Sequence, residues 1–191
     1  AVFLSASEGF SKANVNATVA ESVARAKPLV AAALAAGVRV RGYVSCITDC
    51  PYDGPTPPAA VAEVAGALRA MGCAEVSLGD TIGRAVPETL APVLDAVLDR
   101  VPAAALAGHY HDTGGRALDN IRLSLDRGLR VFDASVGGLG GCPYAPGAAG
   151  NVDTVAVHGL VEGLGFETGV DGHGLRGAAA YARGLRAEGA A

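Results

Sequence analysis

Short apolar runs alternate with longer stretches of apolar residues at helical spacing along nearly the whole chain. Residues 1–5 (A-V-F-L-S) read as a strand that runs into a polar turn at Ser5-Ala6-Ser7-Glu8. Asn16, Ala17 and Thr18 then lead an Ala-rich helix over 19–36, with Gly37 where a helix would stop. Residues 38–46 begin by alternating apolar and polar side chains and become continuously apolar or small, as a buried parallel strand does. A Pro- and Gly-rich loop over 50–58 follows, then a helix over 59–71 closed by Gly72, and a third strand over 74–80. Pro87 suits the start of the next helix, 88–101, and Pro102 ends it. A strand over 103–108, a helix over 116–127 stopped by Gly128, and a strand over 129–136 complete the regular part. A Gly-rich loop over 137–151, a helix over 152–164 and a surface helix over 175–186 close the chain, whose last residues read as a frayed end.

Strand starts near residues 1, 38, 74, 103 and 129 recur at the spacing of βα units in a parallel sheet, so five units are predicted. Either a doubly wound open sheet or part of a (β/α)8 barrel accepts them. Asp80, His109 and His111, and the loop from Gly137 all follow strand ends. Chemistry converging from several strands favours the rim of a barrel. The expected fold is therefore α/β, a partial (β/α)8 TIM barrel of about five βα units plus a C-terminal helix, with residues 1–191 forming one domain. Residue 1 is Ala and the first residues already look like the middle of a strand, so the chain is expected to start inside a fold.

With 191 residues, 50% of them hydrophobic, the chain is large enough to bury a substantial core. The net charge is -4 and the 15 Lys and Arg are scattered, so no basic stripe forms and nucleic acid is not an expected partner. No apolar run reaches the roughly 18 residues of a transmembrane span, so no membrane partner is expected either. Four cysteines without a secretory signal read as reduced thiols of a cytoplasmic enzyme.

The chemistry concentrates in two stretches. In L-A-G-H-Y-H-D-T (106–113), His109 and His111 are two residues apart, and at strand spacing they aim two imidazoles to one side. A lone histidine is more often a core or surface residue, but this pair reads as the start of a metal site, and two histidines with oxygen co-ligands suit Mg, Mn, Zn or Fe. In G-G-L-G-G-C-P-Y-A-P-G-A-A-G-N (137–151), Cys142 reads either as a small thiol buried in a turn or as an acid carried by an exposed loop, which the flanking Gly and Pro favour. Asn151 offers an amide oxygen, or else simply caps the next helix. Asp80 could equally cap the turn that follows it. Cys46 and Cys50 lack the second pair a zinc site needs, Cys73 reads as core, and His158 and His173 read as surface residues without partners.

Taken together, V-R-G-Y-V-S-C, S-L-G-D-T-I-G, H-Y-H-D-T and G-L-G-G-C-P-Y-A-x-G-A-x-G-N resemble the hydroxymethylglutaryl-CoA lyase family of metal-dependent TIM barrels, in order and over nearly the whole chain. The last motif is the specific one, because the related isopropylmalate and homocitrate synthases share H-x-H but have a Cys-free loop there. The resemblance implies an acyl-CoA substrate, cleaved to acetoacetate and acetyl-CoA in the case of 3-hydroxy-3-methylglutaryl-CoA, and a divalent metal, Mg or Mn, held by His109, His111 and Asn151. It implies Cys142 and Asp80 as catalytic residues, and a homodimer is compatible with it. Two departures stand out: the family's R-D-G motif of the first strand is absent from this sequence, which begins where the fourth strand would, and Gly114 stands where the family has Tyr. From these departures the 191 residues alone are expected to be inactive. A condensing synthase of the same superfamily, a lyase for longer-branched 3-hydroxyglutaryl-CoA analogues and a non-catalytic metal-binding remnant are the competing readings.

Overall fold

In the computed structural model, which describes residues 1–140 and 150–188, five parallel strands form one sheet in the order β1 (Val2–Ser5), β2 (Arg41–Ser45), β5 (Glu75–Asp80), β6 (Leu106–Tyr110), β7 (Val131–Asp133). A small antiparallel pair, β3 (Asp49–Cys50) and β4 (Gly54–Pro55), lies between β2 and the next helix. The helices are α1 (Glu8–Val15), α2 (Val19–Ala35), α3 (Pro58–Ala70), α4 (Pro87–Leu98), α5 (Ala117–Asp126), α6 (Thr154–Gly163) and α7 (Gly172–Glu188).

Strand order equals chain order, with no reversal of the kind a doubly wound sheet requires. Right-handed crossovers then put every connecting helix on one face. The burial of alternate residues agrees: Gly42, Val44, Val76, Leu78, Leu106, Gly108 and Tyr110 are buried under the helices. The opposite face, with Phe3, Tyr43, Glu75, His109, Val131 and Asp133, is half-buried or exposed. This is an arc of a (β/α)8 barrel seen from its interior. Phe3 is 63% exposed although it stacks on Tyr43 at 4.5 Å, because its other neighbours on that face are solvent.

The core lies between sheet and helices. Leu68 of α3, Leu90 and Leu94 of α4 and Ile121 of α5 are fully buried against Val76, Leu78 and Leu106. Each such side chain stabilises the fold by roughly 1.5–3 kcal/mol through lost apolar surface. Local chemistry sets the helix ends. Thr18 and Glu21 form a reciprocal capping box at the start of α2. Beyond α3, Gly72 takes φ +100, and a Cβ there would meet the end of the Leu34 side chain at 2.6 Å.

Several sequence expectations are corrected. The polar turn at Ser5–Glu8 is the start of α1: Ser7 caps it, accepting from the Phe10 amide at 3.2 Å. The loop over 50–58 contains the β3–β4 pair. The strand expected over 103–108 begins with a 3-10 turn, Ala103–Ala105, and runs on to Tyr110, because the small alanines do not commit the backbone to extension. The strand expected over 129–136 is only three residues long, cut off by the Val136–Gly138 turn in which Gly137 adopts φ 72.

Candidate active site

The segments that follow β6 and β7 meet the segment 150–153. His109 lies inside β6, paired with Gly79 on one side and Asp133 on the other. His111 is just beyond the strand and bridges to Asn151, while Ser135 bridges to Asp153. The Asp112 amide donates to the Gly150 carbonyl at 2.7 Å. His109 and His111 hold their ring centroids 5.3 Å apart. The two imidazoles are thus neighbours, and the backbone of Asn151 is bridged to that of His111.

The polar atoms of this group are unevenly satisfied. His111 Nδ1 is buried and has no hydrogen-bond partner among the described residues. Burial lowers the His111 pKa, the neighbouring His109 lowers it further, and a hydrogen bond to the Thr81 backbone opposes both. The net lowering favours the uncharged ring, the form that ligates metal. Asn151 donates through Nδ2 to the Leu139 carbonyl at 3.1 Å, which leaves its amide oxygen free of that bond. An orphaned imidazole nitrogen, a second imidazole and an amide oxygen fit a divalent cation such as Mg or Mn. Among the described residues no group of three or more His, Cys, Asp and Glu side chains could hold a metal. Asn151 is not the cap of α6; Asp153 is, accepting from the Val155 amide at 2.9 Å.

Cys142 lies outside the described residues. The chain leaves and returns at points tied together, since the Asn151 amide donates to the Gly140 carbonyl at 3.2 Å.

Asp80 ends β5 and is 1% exposed. Its residue pairs with Tyr110, so strand alternation places it on the helix-facing side, opposite to His109. The carboxylate accepts from the Arg84 amide at 3.2 Å and the Ala85 amide at 2.9 Å, holding the turn that follows. Burial nevertheless pushes its pKa up to about 6, against the lowering effect of those amides. A carboxyl raised in the folded state adds stability below its unfolded pKa, near 3.8, and loses that contribution as the pH rises through about 6. The full difference is about 3 kcal/mol. Asp80→Asn keeps the shape but does not titrate. The variant is therefore expected to gain on the wild type in thermal melts as the pH rises from about 4 to about 7. A stability difference that does not change over that range would show that burial exerts no such pull.

Gly114 abuts the same turn. Its amide donates to the Gly83 carbonyl at 3.0 Å, and a Cβ there would sit 2.9 Å from that oxygen. A tyrosine in its place would require the turn to shift.

Asp133 was not singled out by the sequence reading. It accepts from Arg41 at 2.8 Å on one oxygen, and from Ser77 at 3.0 Å on the other, which also meets His109 Nδ1 at 3.1 Å. Burial would raise its pKa, but the bonds from His109, Arg41 and Ser77 hold it below the ordinary carboxylate value. The sequence places it in the middle of the strand expected over 129–136, an acidic residue with no evident partner until the register is known.

Cys46, Cys50 and Cys73 are free and buried, and burial pushes the Cys46 thiol up to about 12. His173 is exposed as expected. His158 is not partnerless, since its Nε2 meets the Val170 carbonyl at 3.2 Å. No helix among the described residues is long and apolar enough to cross a membrane.

A parallel sheet in chain order with a histidine pair at its carboxyl edge is the arrangement of a (β/α)8-barrel site. Comparison with known proteins narrows this: the HMGL-like family matches residues 1–181, and the chain belongs to that family. It is 52% identical over 171 residues to the hydroxymethylglutaryl-CoA lyase of Pseudomonas mevalonii, covering 90% of this chain and 57% of that one. It is 53% identical over 175 residues to the 3-hydroxy-3-isohexenylglutaryl-CoA/hydroxy-methylglutaryl-CoA lyase of Pseudomonas aeruginosa, covering 92% and 58%. The crystal structure of the HMG-CoA lyase from Brucella melitensis superposes with a TM-score of 0.95 at 65% identity, covering 97% of this chain and 65% of that one. The chain thus spans less than two thirds of the length of these relatives.

Proposed function

We propose that the protein carrying this chain is a carbon-carbon lyase that cleaves 3-hydroxy-3-methylglutaryl-CoA to acetoacetate and acetyl-CoA. The observation that carries this is the meeting of His109, His111 and Asn151 at one sheet edge in a chain about half identical to lyases of that name. These three residues would hold Mg or Mn, which when bound supplies a Lewis acid for the substrate's tertiary alcohol and a carboxylate oxygen.

In the reaction the hydroxyl at C3 gives up its proton to a base, the bond between C2 and C3 breaks, and C3 becomes the ketone of acetoacetate. The electron pair left on C2 is that of the acetyl-CoA enolate, and one proton completes it. Cys142, two residues beyond Gly140 and so close in sequence to the Asn151 anchor, is the acid assigned to that proton. Asp80, on the helix-facing side of β5, acts on the reaction from behind the site: its hold on the turn after β5 supports the Thr81 backbone beside His111. A longer branch at C3 is a second substrate, favoured by the double name of the P. aeruginosa relative.

The test is acetoacetate release from 3-hydroxy-3-methylglutaryl-CoA by the protein as encoded, before and after chelation. Turnover is expected with Mg or Mn, to be lost with EDTA and restored by adding either ion. No release with either ion, or release indifferent to EDTA, would overturn the assignment. Assaying the isohexenyl analogue alongside decides the branch length accepted.

A further inference from the structure

We propose that Asp133 is a positioning residue that locks His109 in one ring tautomer and one orientation, so that Nε2 is the nitrogen presented to a divalent cation. The inference rests on the metal reading given above and concerns a residue outside the ligand set.

The register places the parts. Residues 41, 43, 75, 77, 109 and 133 all project from the interior face of the sheet, on four adjacent strands. His109 and Asp133 are direct partners across β6 and β7. An ionised carboxylate only accepts hydrogen bonds, so the 3.1 Å contact puts the proton of a neutral His109 ring on Nδ1 and leaves the lone pair on Nε2. Metal-binding histidines are commonly oriented this way by a carboxylate on the other ring nitrogen.

The carboxylate is itself immobilised, as such a role demands. Arg41 donates to Oδ1 at 2.8 Å and Ser77 to Oδ2 at 3.0 Å. Arg41 is fixed in turn by Glu75 at 2.5 Å and by the Tyr43 hydroxyl at 2.6 Å. A carboxylate that merely balanced Arg41 would need only one of its oxygens. Here the second oxygen is shared between Ser77 and the imidazole, and the network ends on the histidine of the candidate site.

The network also dictates what an isosteric change would do. In Asp133→Asn, Arg41 still offers only donors, so the amide oxygen must face Arg41 and the NH2 group must face Ser77 and His109. His109 Nδ1 then has to accept, and the proton moves to Nε2, where it blocks ligation. The tautomer inverts without a change of shape.

Two measurements on the encoded protein test this. Ring 15N shifts of the metal-free wild type are expected to show His109 protonated at Nδ1 and bare at Nε2, and those of Asp133→Asn the reverse. Titration with Mn2+ followed by EPR should show weaker uptake by the variant, by about 10- to 100-fold. A wild-type His109 protonated at Nε2 overturns the proposal with no substitution needed, so it is decided even if the variant does not fold. An unchanged tautomer and affinity in Asp133→Asn, beside a wild type that binds Mn2+, overturns the positioning role and leaves the metal reading standing. A wild type that takes up no Mn2+ overturns the metal reading and this inference with it.

Discussion

Replacing His111 with Ala is expected to abolish metal-dependent release of acetoacetate, with turnover down by about 1000-fold or more. The imidazole carries a buried Nδ1 with no partner among the described residues, its ring sits 5.3 Å from that of His109, and the His111 backbone bridges to that of Asn151. Such a nitrogen has a lone pair available to a ligand. Removing the ring deletes one of the donors proposed for the cation. A bound cation that polarises a substrate oxygen is worth several kcal/mol in the transition state, and each 1.36 kcal/mol is tenfold in rate. The fold should survive, because the His111 side chain is only half-buried and bonds little besides the Thr81 backbone. Turnover and metal content, measured together with the thermal midpoint, check the prediction. Undiminished turnover with unchanged metal content would remove His111 from the site.

Cys142→Ser is expected to lower turnover by orders of magnitude while metal content stays at the wild-type level. A thiol with an ordinary pKa near 8.5 can give up a proton close to neutral pH, whereas an alcohol is a far weaker acid. General acid catalysis by a placed side chain is typically worth about 100- to 10,000-fold. Because Cys142 is not among the proposed ligands, the two readouts separate: His111→Ala should lose metal and turnover together, Cys142→Ser turnover alone. Near-normal turnover of the Ser variant would make Cys142 a packing residue.

Where the sequence reading failed, the failures have local causes. Ser7 and Glu8 carry an N-terminal helix signal, but so few apolar positions follow before Asn16 that no helical period stands out in the sequence. Three alanines at 103–105 are equally at home in a tight turn or a strand, so β6 starts three residues later than expected, and it runs two residues further, through His109 to Tyr110. Asn151 and Asp153 are both good caps, and only the backbone decides that Asp153 takes that role and Asn151 turns to the histidines.

The sequence by itself determined the number and order of the βα units, the helix stops at Gly37, Gly72 and Gly128, and the residue types of the candidate site. These follow from short-range chemistry: hydrophobic period, capping and φ preferences are written into neighbouring residues. The tertiary structure alone decided that the strands lie in chain order with their helices on one face, which turns two admissible architectures into one. It also decided which side of each strand faces that interior. Register moves every side chain from one face to the other with a shift of one residue, so it cannot be read from any single strand. That is why Asp80 and His109, both legible as candidates, fall on opposite faces of the sheet, and why Asp133, legible as nothing in particular, ends at hydrogen-bonding distance from His109.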